Sequence, residues 1–484
     1  MPLRICFATA EMAPFAKVGG LGDVSGALAK YLHAAGHDIR LFLPAYASIP
    51  RAGLEAWPVD FLQDVPVRIG THDYRFSIET ARLPGSRAFV YLVHCAELFE
   101  RATIYSSAAD EHRRFLLLTH AMFLACQRMA FAPQILHLND WHTAIGALWL
   151  RSVYAWDALF RQTRSVLTIH NIGYQGVIGA AQREEVLPAG DAALLHQADL
   201  QAGRINLLRQ GLLYADLVTT VSPTYAREIR TAEYGMGLED TLRQRSDALV
   251  GILNGVDYDE WDPRVDAHLP RHYGANQLGI KAGLKDELQA RLGLAGAERR
   301  ALIGVITRLA TQKGIDLMMT ALPPLLAARD FNLVVLGSGE PSYEAFFADL
   351  QRRHPGRVVF HRGYDEALSH WIEAAGDMFL MPSRYEPCGL NQLYSLRYGS
   401  VPIVRRTGGL ADSVRHFDPA TGQGTGIVFN DYDATAVQWA VNHALDLYQQ
   451  KGHWRRLVQN GMAQDFSWHR QVQRYVEQYE RLAR

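Results

Sequence analysis

Cysteine and lysine are scarce in this chain. The four cysteines, Cys6, Cys95, Cys126 and Cys388, show no CxxC spacing. That excludes a disulfide framework and a zinc ribbon, and it fits a reducing cytosol. Only six of the 49 basic residues are lysines: Lys17, Lys30, Lys281, Lys285, Lys313 and Lys451. A lysine in a glycine-flanked loop, as Lys17 and Lys313 are, therefore marks a position that wants a compact ammonium. No apolar run approaches the roughly 18–20 residues of a membrane span. Strand-like sequence begins at Leu3, leaving no room for a signal peptide, so a cytoplasmic protein is expected. The net charge of −1 gives no field for nucleic acid or a membrane surface. Anionic ligands must be held by local arginines and lysines.

What is present suits a large globular protein. The 484 residues are 48% apolar and 20% charged, enough for two or three domains. Leu3 to Ala10 reads as a buried strand and Ala27 to Leu32 as part of an amphipathic helix. Between them lies Lys17-Val-Gly-Gly-Leu-Gly-Asp23. Strand, glycine loop and helix is the layout of a phosphate cradle, in which Gly19, Gly20 and Gly22 let the backbone adopt positive φ and approach a ligand closely. Neither GxxxxGK[ST] nor a good GxGxxG is present, and no acid ends the next strand. Val59 to Val93 alternates like strands and hairpins, and Glu111 to Ala130 has helical periodicity.

Strand–helix units follow: Ile135 to Leu138 running into His137-Leu-Asn-Asp140-Trp-His142, Ser165 to Ile169 running into His170-Asn171, then Asp216 to Val221 and Leu249 to Leu253. Each ends in polar residues at a strand's carboxyl end, where open α/β sheets bind ligands. His137, Asp140 and His142 do not converge as a metal set, and Asp257-Tyr-Asp259 and Asp431-Tyr-Asp433 read as turn and cap residues.

The irregular Val256–Tyr273 stretch marks a domain boundary. A second series of strands and helices then runs from Ala301 to Val404, so two doubly wound domains are expected. Arg308 and Lys313 share the loop Thr307 to Gly314, an anion site at a helix N-terminus. Gly337-Ser-Gly339 and Thr407-Gly-Gly-Leu410 offer backbone amides to phosphate or ribose oxygens. Met381 to Tyr394 carries Glu386 between a strand that stops at Pro382 and a helix that starts near Leu390. Many anion holders with no dedicated set of metal-binding acids suit a diphosphate leaving group on a sugar carbon more than phosphoryl transfer.

These motifs together resemble the bacterial glycogen synthase and plant starch synthase family. The resemblance rests on Lys17 to Asp23, His137 to His142, Thr168-Ile-His-Asn171, Ile252 to Asp257, Arg308 to Gly314, Glu386-Pro-Cys-Gly-Leu390 and Thr407 to Leu410, in order from about Ile5 to Trp468. It implies the α/β GT-B fold: two doubly wound, Rossmann-like domains, residues 1–255 and 256–464, facing across a deep interdomain cleft, with a tail, 465–484, returning to the first. It implies metal-free transfer of glucose, with retention and no cofactor, from ADP-glucose to the non-reducing end of an α-1,4-glucan such as glycogen.

Residue by residue, it implies that Lys17 with Gly19 and Gly20, in the motif closed by Asp23, contacts the diphosphate. Arg308 and Lys313 hold that diphosphate too. His170, Asn254 and Glu386, with the backbone of Cys388, Gly389 and Leu390, surround the glucose. Asp140 lies near the reacting centre or acceptor and Tyr364 near the base, while Gly337, Thr407 and Gly408 belong to the substrate-binding loops. Val18, Ser338 and Asn139 depart from the commoner family residues without removing a charge. The alternatives are a UDP-sugar transferase, a glucan phosphorylase with pyridoxal phosphate on a lysine, and a sugar-nucleotide sensor without turnover.

Overall fold

Ile5, Cys6, Phe7 and Ala8 are fully buried because their strand, Arg4–Ala8, runs in the middle of a parallel sheet between Asp38–Pro44 and Ile135–Asn139. A strand covered on both faces has no polar side to alternate with, hence its continuous apolar run. The computed structural model describes residues 2–296 and 300–484. It divides into two compact units, Met1–Gly255 with Trp468–Arg484, and Val256–Ser467.

In the first unit the described residues form a ten-stranded sheet. Its parallel part runs Leu249–Gly251, Leu217–Thr220, Arg164–Ile169, Ile135–Asn139, Arg4–Ala8, Asp38–Pro44, Phe89–His94. His72–Arg82 then pairs antiparallel with Phe89–His94, and Ala56–Pro58 and Val65–Ile69 pair with it. Val65–Ile69 alternates strictly between buried and exposed residues, as an antiparallel ribbon with one wet face must. This is the alternation visible in the sequence from Val59 onward.

The second unit holds a six-stranded, wholly parallel sheet: Val358–Arg362, Phe331–Gly337, Ala301–Ile306, Met378–Met381, Val401–Arg405, Ile427–Phe429. The parallel part of each sheet has one place where chain order reverses. In the first unit it lies at Arg4–Ala8, flanked by Asp38–Pro44 and Ile135–Asn139; in the second it lies between Ala301–Ile306 and Met378–Met381. Loops leaving the carboxyl ends of such neighbours diverge to opposite faces and open a crevice. Glu11 and Asp140 follow the two strands at the first reversal. Lys313 and Glu386 follow the two at the second.

The return to the first unit comes at Trp468, three residues later than the expected Asp465, because Val256 still pairs with this stretch: its N–H donates to the Phe466 carbonyl at 2.8 Å, beside a bridge to Ser467. Trp468 is buried, and a Cβ on Gly255 would sit 2.6 Å from its indole. The closing helix, Trp468–Ala483, is fixed by the Tyr479 hydroxyl, 2.6 Å from His137 Nδ1. Among the described residues no helix is long and apolar enough to cross a membrane.

Candidate active site

In the second unit, the loop after Ala301–Ile306 makes a single helical turn, Thr311–Lys313, and reverses at Gly314, whose φ is +71°. A Cβ there would lie 2.1 Å from the Pro382 carbonyl. The left-handed backbone and the close approach both demand glycine, and together they press this loop onto the one carrying Glu386. Lys313 Nζ consequently donates to Glu386 Oε1 at 2.8 Å and Oε2 at 2.6 Å, and Ser383 Oγ donates to Oε2 at 3.0 Å. Glu386 is only 4% exposed. A buried carboxylate so placed is tolerable because it is both paired and hydrogen-bonded.

The glycine turn after Val401–Arg405 braces the same loop from behind. Gly408 has φ +44°, and a Cβ on it would lie 1.8 Å from the Glu386 carbonyl. The Gly409 N–H donates to the carbonyls of Glu386 at 3.1 Å and Pro387 at 3.2 Å. Thr407 and Gly408 thus lie against the backbone of the Glu386 loop. Gly389 is left-handed as well, at +73°. Gln392 Nε2 ties down the carbonyls of Cys388 at 2.9 Å and Gly389 at 3.0 Å. Leu390 caps the helix Asn391–Tyr398.

Arg308 is exposed, with Nη2 donating to Gln312 Oε1 at 3.2 Å. Gly337 ends its strand so close to the Thr307 carbonyl that a Cβ would fall 2.0 Å away. The Gly339 N–H is taken by Glu344 Oε1 at 3.0 Å. Tyr364 is 62% exposed, a flat apolar face turned to solvent. Asp433 caps Ala434–Gln449, and Asp257 accepts from the Asp259 N–H at 3.1 Å, so both Asp-Tyr-Asp triplets are local structure.

In the first unit the glycines of the Lys17–Asp23 loop do not use their freedom of positive φ. Gly19 is extended, at φ −150°, and Gly20 and Gly22 already belong to the helix Gly20–Ala34, so none of the three is left-handed. Gly22 is tightly enclosed instead: a Cβ would lie 3.2 Å from the Lys17 side chain and 3.3 Å from the Ala16 carbonyl. What shapes the loop is Glu11, which the sequence did not single out. Its Oε2 accepts the N–H groups of Val18 at 2.6 Å and Gly19 at 2.9 Å, and its Oε1 accepts the Tyr105 hydroxyl at 2.5 Å. Burial raises the Glu11 carboxyl pKa, an effect that these three hydrogen bonds only partly offset. Lys17 Nζ reaches Asp23 Oδ1 at 2.7 Å in a partly exposed pair, which is worth little in stability.

Asp140 opens the helix Asp140–Arg151 with φ +52°. A non-glycine residue there costs roughly 1–2 kcal/mol, and such outliers gather at functional sites. Its Oδ1 accepts the N–H groups of His170 at 2.7 Å and Asn171 at 3.3 Å. Burial, countered in part by those bonds, pushes its pKa up to about 7. His170 Nε2 lies 2.9 Å from Asn139 Oδ1, while the Asn139 amide donates to the Ala8 carbonyl at 2.9 Å. The amide oxygen therefore faces the imidazole, which must donate from Nε2 and keep the Nδ1 lone pair. Burial lowers the His170 pKa to about 3, keeping the ring neutral.

The other two histidines of this region differ from each other. His137 is a core residue, its nitrogens 2.6 Å from Thr168 Oγ1 and from the Tyr479 hydroxyl. His142 stacks on Tyr105 at 5.2 Å with its Nδ1 buried and unpartnered. Asn254, at the end of the last strand region, is buried with an unpartnered Oδ1. Polar atoms left without partners in a buried setting suit a site that a polar ligand completes.

Known proteins resemble both units of this chain. The starch synthase catalytic domain family matches residues 4–244, and glycosyl transferases group 1 matches residues 289–462. A glycogen synthase from Anaeromyxobacter dehalogenans (strain 2CP-C) is 44% identical over 99% of this chain and 100% of its own length. One from Thermotoga maritima is 40% identical over 99% of each. Among solved structures, the catalytic domain of starch synthase IV from Arabidopsis thaliana, bound to ADP and acarbose, superposes with a TM-score of 0.93 at 35% identity, covering 100% of both chains. Sucrose-phosphate synthase from Thermosynechococcus elongatus shares the fold, with a TM-score of 0.62 at 17% identity over 99% of this chain and 98% of its own.

Proposed function

The chain belongs to the glycogen and starch synthase family of retaining glycosyltransferases with the GT-B fold, and on that premise we propose that it transfers glucose from ADP-glucose to the non-reducing end of an α-1,4-glucan. The observation that carries this reading is the Lys313–Glu386 pair with Arg308 on the same loop as Lys313. Departure of ADP places new negative charge on the diphosphate. A guanidinium and an ammonium fixed beforehand stabilise that charge without reorganising, an effect of roughly a hundred- to thousandfold in rate. Full-length likeness to a structure holding ADP supports the adenine nucleotide, and its acarbose supports a glucan acceptor.

In this reading Glu386 orients the sugar and balances the positive charge that grows at its reacting carbon. The acceptor hydroxyl attacks from the face the diphosphate leaves, and the departing phosphate oxygen takes its proton, so configuration is retained. Lys17, on a loop whose amides are held by Glu11, contacts the diphosphate. In the first unit Asp140, the neutral His170 and Asn254 serve the sugar and the acceptor; in the second, the backbone of Cys388 to Leu390 contacts the glucose. Tyr364 offers its exposed ring to the base. The positive charge comes from side chains, and no cofactor takes part.

Incorporation of labelled glucose into glycogen, with ADP-glucose and UDP-glucose compared at equal concentration, tests the proposal. A higher kcat/KM with ADP-glucose is expected. Preference for UDP-glucose, or no incorporation from either, overturns it.

A further inference from the structure

His370 occupies the interior of the second unit with one ring nitrogen satisfied and the other not. Its Nδ1 lies 2.8 Å from Asp266 Oδ2, while Nε2 is buried and has no partner. The ring itself is wholly buried. Asp266, 1% exposed, also accepts the Tyr398 hydroxyl at 2.6 Å and the His268 N–H at 2.8 Å. Asp266 is thus an acceptor only. It places the proton on His370 Nδ1 and leaves a lone pair on Nε2. A buried polar atom left unsatisfied costs about 1–3 kcal/mol.

Two exposed side chains lie close to His370. Glu366 stands one helical turn before His370 on Glu366–Ala375, the i, i+4 spacing that shares a face. The His268 ring lies 4.4 Å from the His370 ring, centroid to centroid. One ligand atom from each of His268, Glu366 and His370 falls within 4.8 Å of the other two, and among the described residues no other group of three such side chains does so.

From this geometry we propose that His268, Glu366 and His370 form a binding site for a divalent transition metal of the zinc class. Two imidazoles and one carboxylate, with a fourth position open to water, suit Zn²⁺, whereas Mg²⁺ and Ca²⁺ take oxygen ligands. Donors at Zn–N and Zn–O lengths of about 2.0–2.2 Å in a tetrahedron lie roughly 3.3 Å apart. His268 and Glu366 therefore have to close by about 1.5 Å at most, which solvent-facing side chains accomplish by rotation. His370 is the fixed point, oriented by Asp266 in the carboxylate–histidine arrangement that sets the tautomer and strengthens the ligand.

The ion would tie the irregular stretch after Val256 to the helix Glu366–Ala375. Trp261, from that stretch, is sandwiched between His370 at 3.7 Å and Tyr394 at 4.0 Å. Tyr394 lies on Asn391–Tyr398, the helix that follows the Glu386 loop. The site is accordingly assigned a stabilising role rather than a place in glucosyl transfer.

The test is calorimetric titration of ZnCl₂ alone into the tag-free, full-length chain after treatment with chelator, with thermal melts in parallel. Wild type is expected to bind one ion and to melt higher with zinc. His268→Ala and Glu366→Ala change exposed residues, so they are expected to fold, to bind more than tenfold more weakly, and to lose the zinc-dependent rise in melting temperature. Outer-ligand changes alone cost roughly 10–100-fold in affinity. No binding by wild type, or a weakening below tenfold in both variants, overturns the proposal.

Discussion

Lys313 grips Glu386 with one ammonium against both carboxylate oxygens, at 2.8 and 2.6 Å. The pair joins the two loops at the reversal point of the second sheet, and Gly314 against Pro382 and Gly408 against Glu386 leave these loops no room to drift. In the proposed reaction each charge holds the other in place beside the glucosyl diphosphate.

Replacing the carboxylate tests its half of the pair. Glu386→Gln keeps the shape and the Ser383 hydrogen bond but removes the negative charge. The expected outcome is a fall in kcat of about a hundredfold or more, with KM for ADP-glucose changed far less, measured by ADP release in the presence of glycogen. A wild-type kcat would remove Glu386 from any role in balancing charge.

Glu11 is expected to act at one remove, through the Lys17 loop. Glu11→Ala leaves the N–H groups of Val18 and Gly19 and the Tyr105 hydroxyl without their acceptor, at about 1–3 kcal/mol for each that stays dry. A loosened loop predicts a KM for ADP-glucose raised about tenfold, equivalent to ~1.4 kcal/mol, together with a lower melting temperature. A variant that melts lower with unchanged KM would show that Glu11 supports the fold but not the loop's contact with substrate.

Asp140 predicts a pH dependence of stability. Its carboxyl titrates near 7 in the folded chain, against about 3.9 in an unfolded one. Between those values the folded state holds a proton that the unfolded state has lost. The stability from this group is therefore fully present below about pH 4 and is lost as pH rises through about 7. Asp140→Asn removes the titration while keeping an oxygen for the N–H groups of His170 and Asn171. The drop in melting temperature between about pH 5 and about pH 8 is expected to be smaller in the variant than in wild type. An equal drop in both would assign the pH dependence to other groups.

Much of this architecture could be read from residue order. Apolar runs such as Leu3–Ala8 and Met378–Met381 announce central parallel strands because a strand covered on both faces has no polar side. Arg308, Lys313 and Glu386 stand out because they follow such strands in glycine-punctuated loops. Glu11 does not, since a lone acid after a strand has no diagnostic spacing, and its importance arises only when the chain doubles back from Met12 to Ala16 and turns two amides toward it. The glycines of Lys17–Asp23 show the same limit. Their identity suggests unusual φ, whereas the crowding of Gly22 against Lys17 is a tertiary fact. His268, Glu366 and His370 come from two distant stretches and share no motif.

In the proposed reaction, fixed cations beside the diphosphate drive the departure of ADP. Its most direct test is the kcat for ADP release from saturating ADP-glucose with glycogen, without magnesium, in wild type, Arg308→Ala and Lys313→Ala, with circular dichroism confirming the fold. Full wild-type turnover without magnesium is expected, with a loss of about a hundredfold or more in each variant. A wild-type kcat in either variant, or a wild-type enzyme that turns over only when magnesium is added, would contradict it.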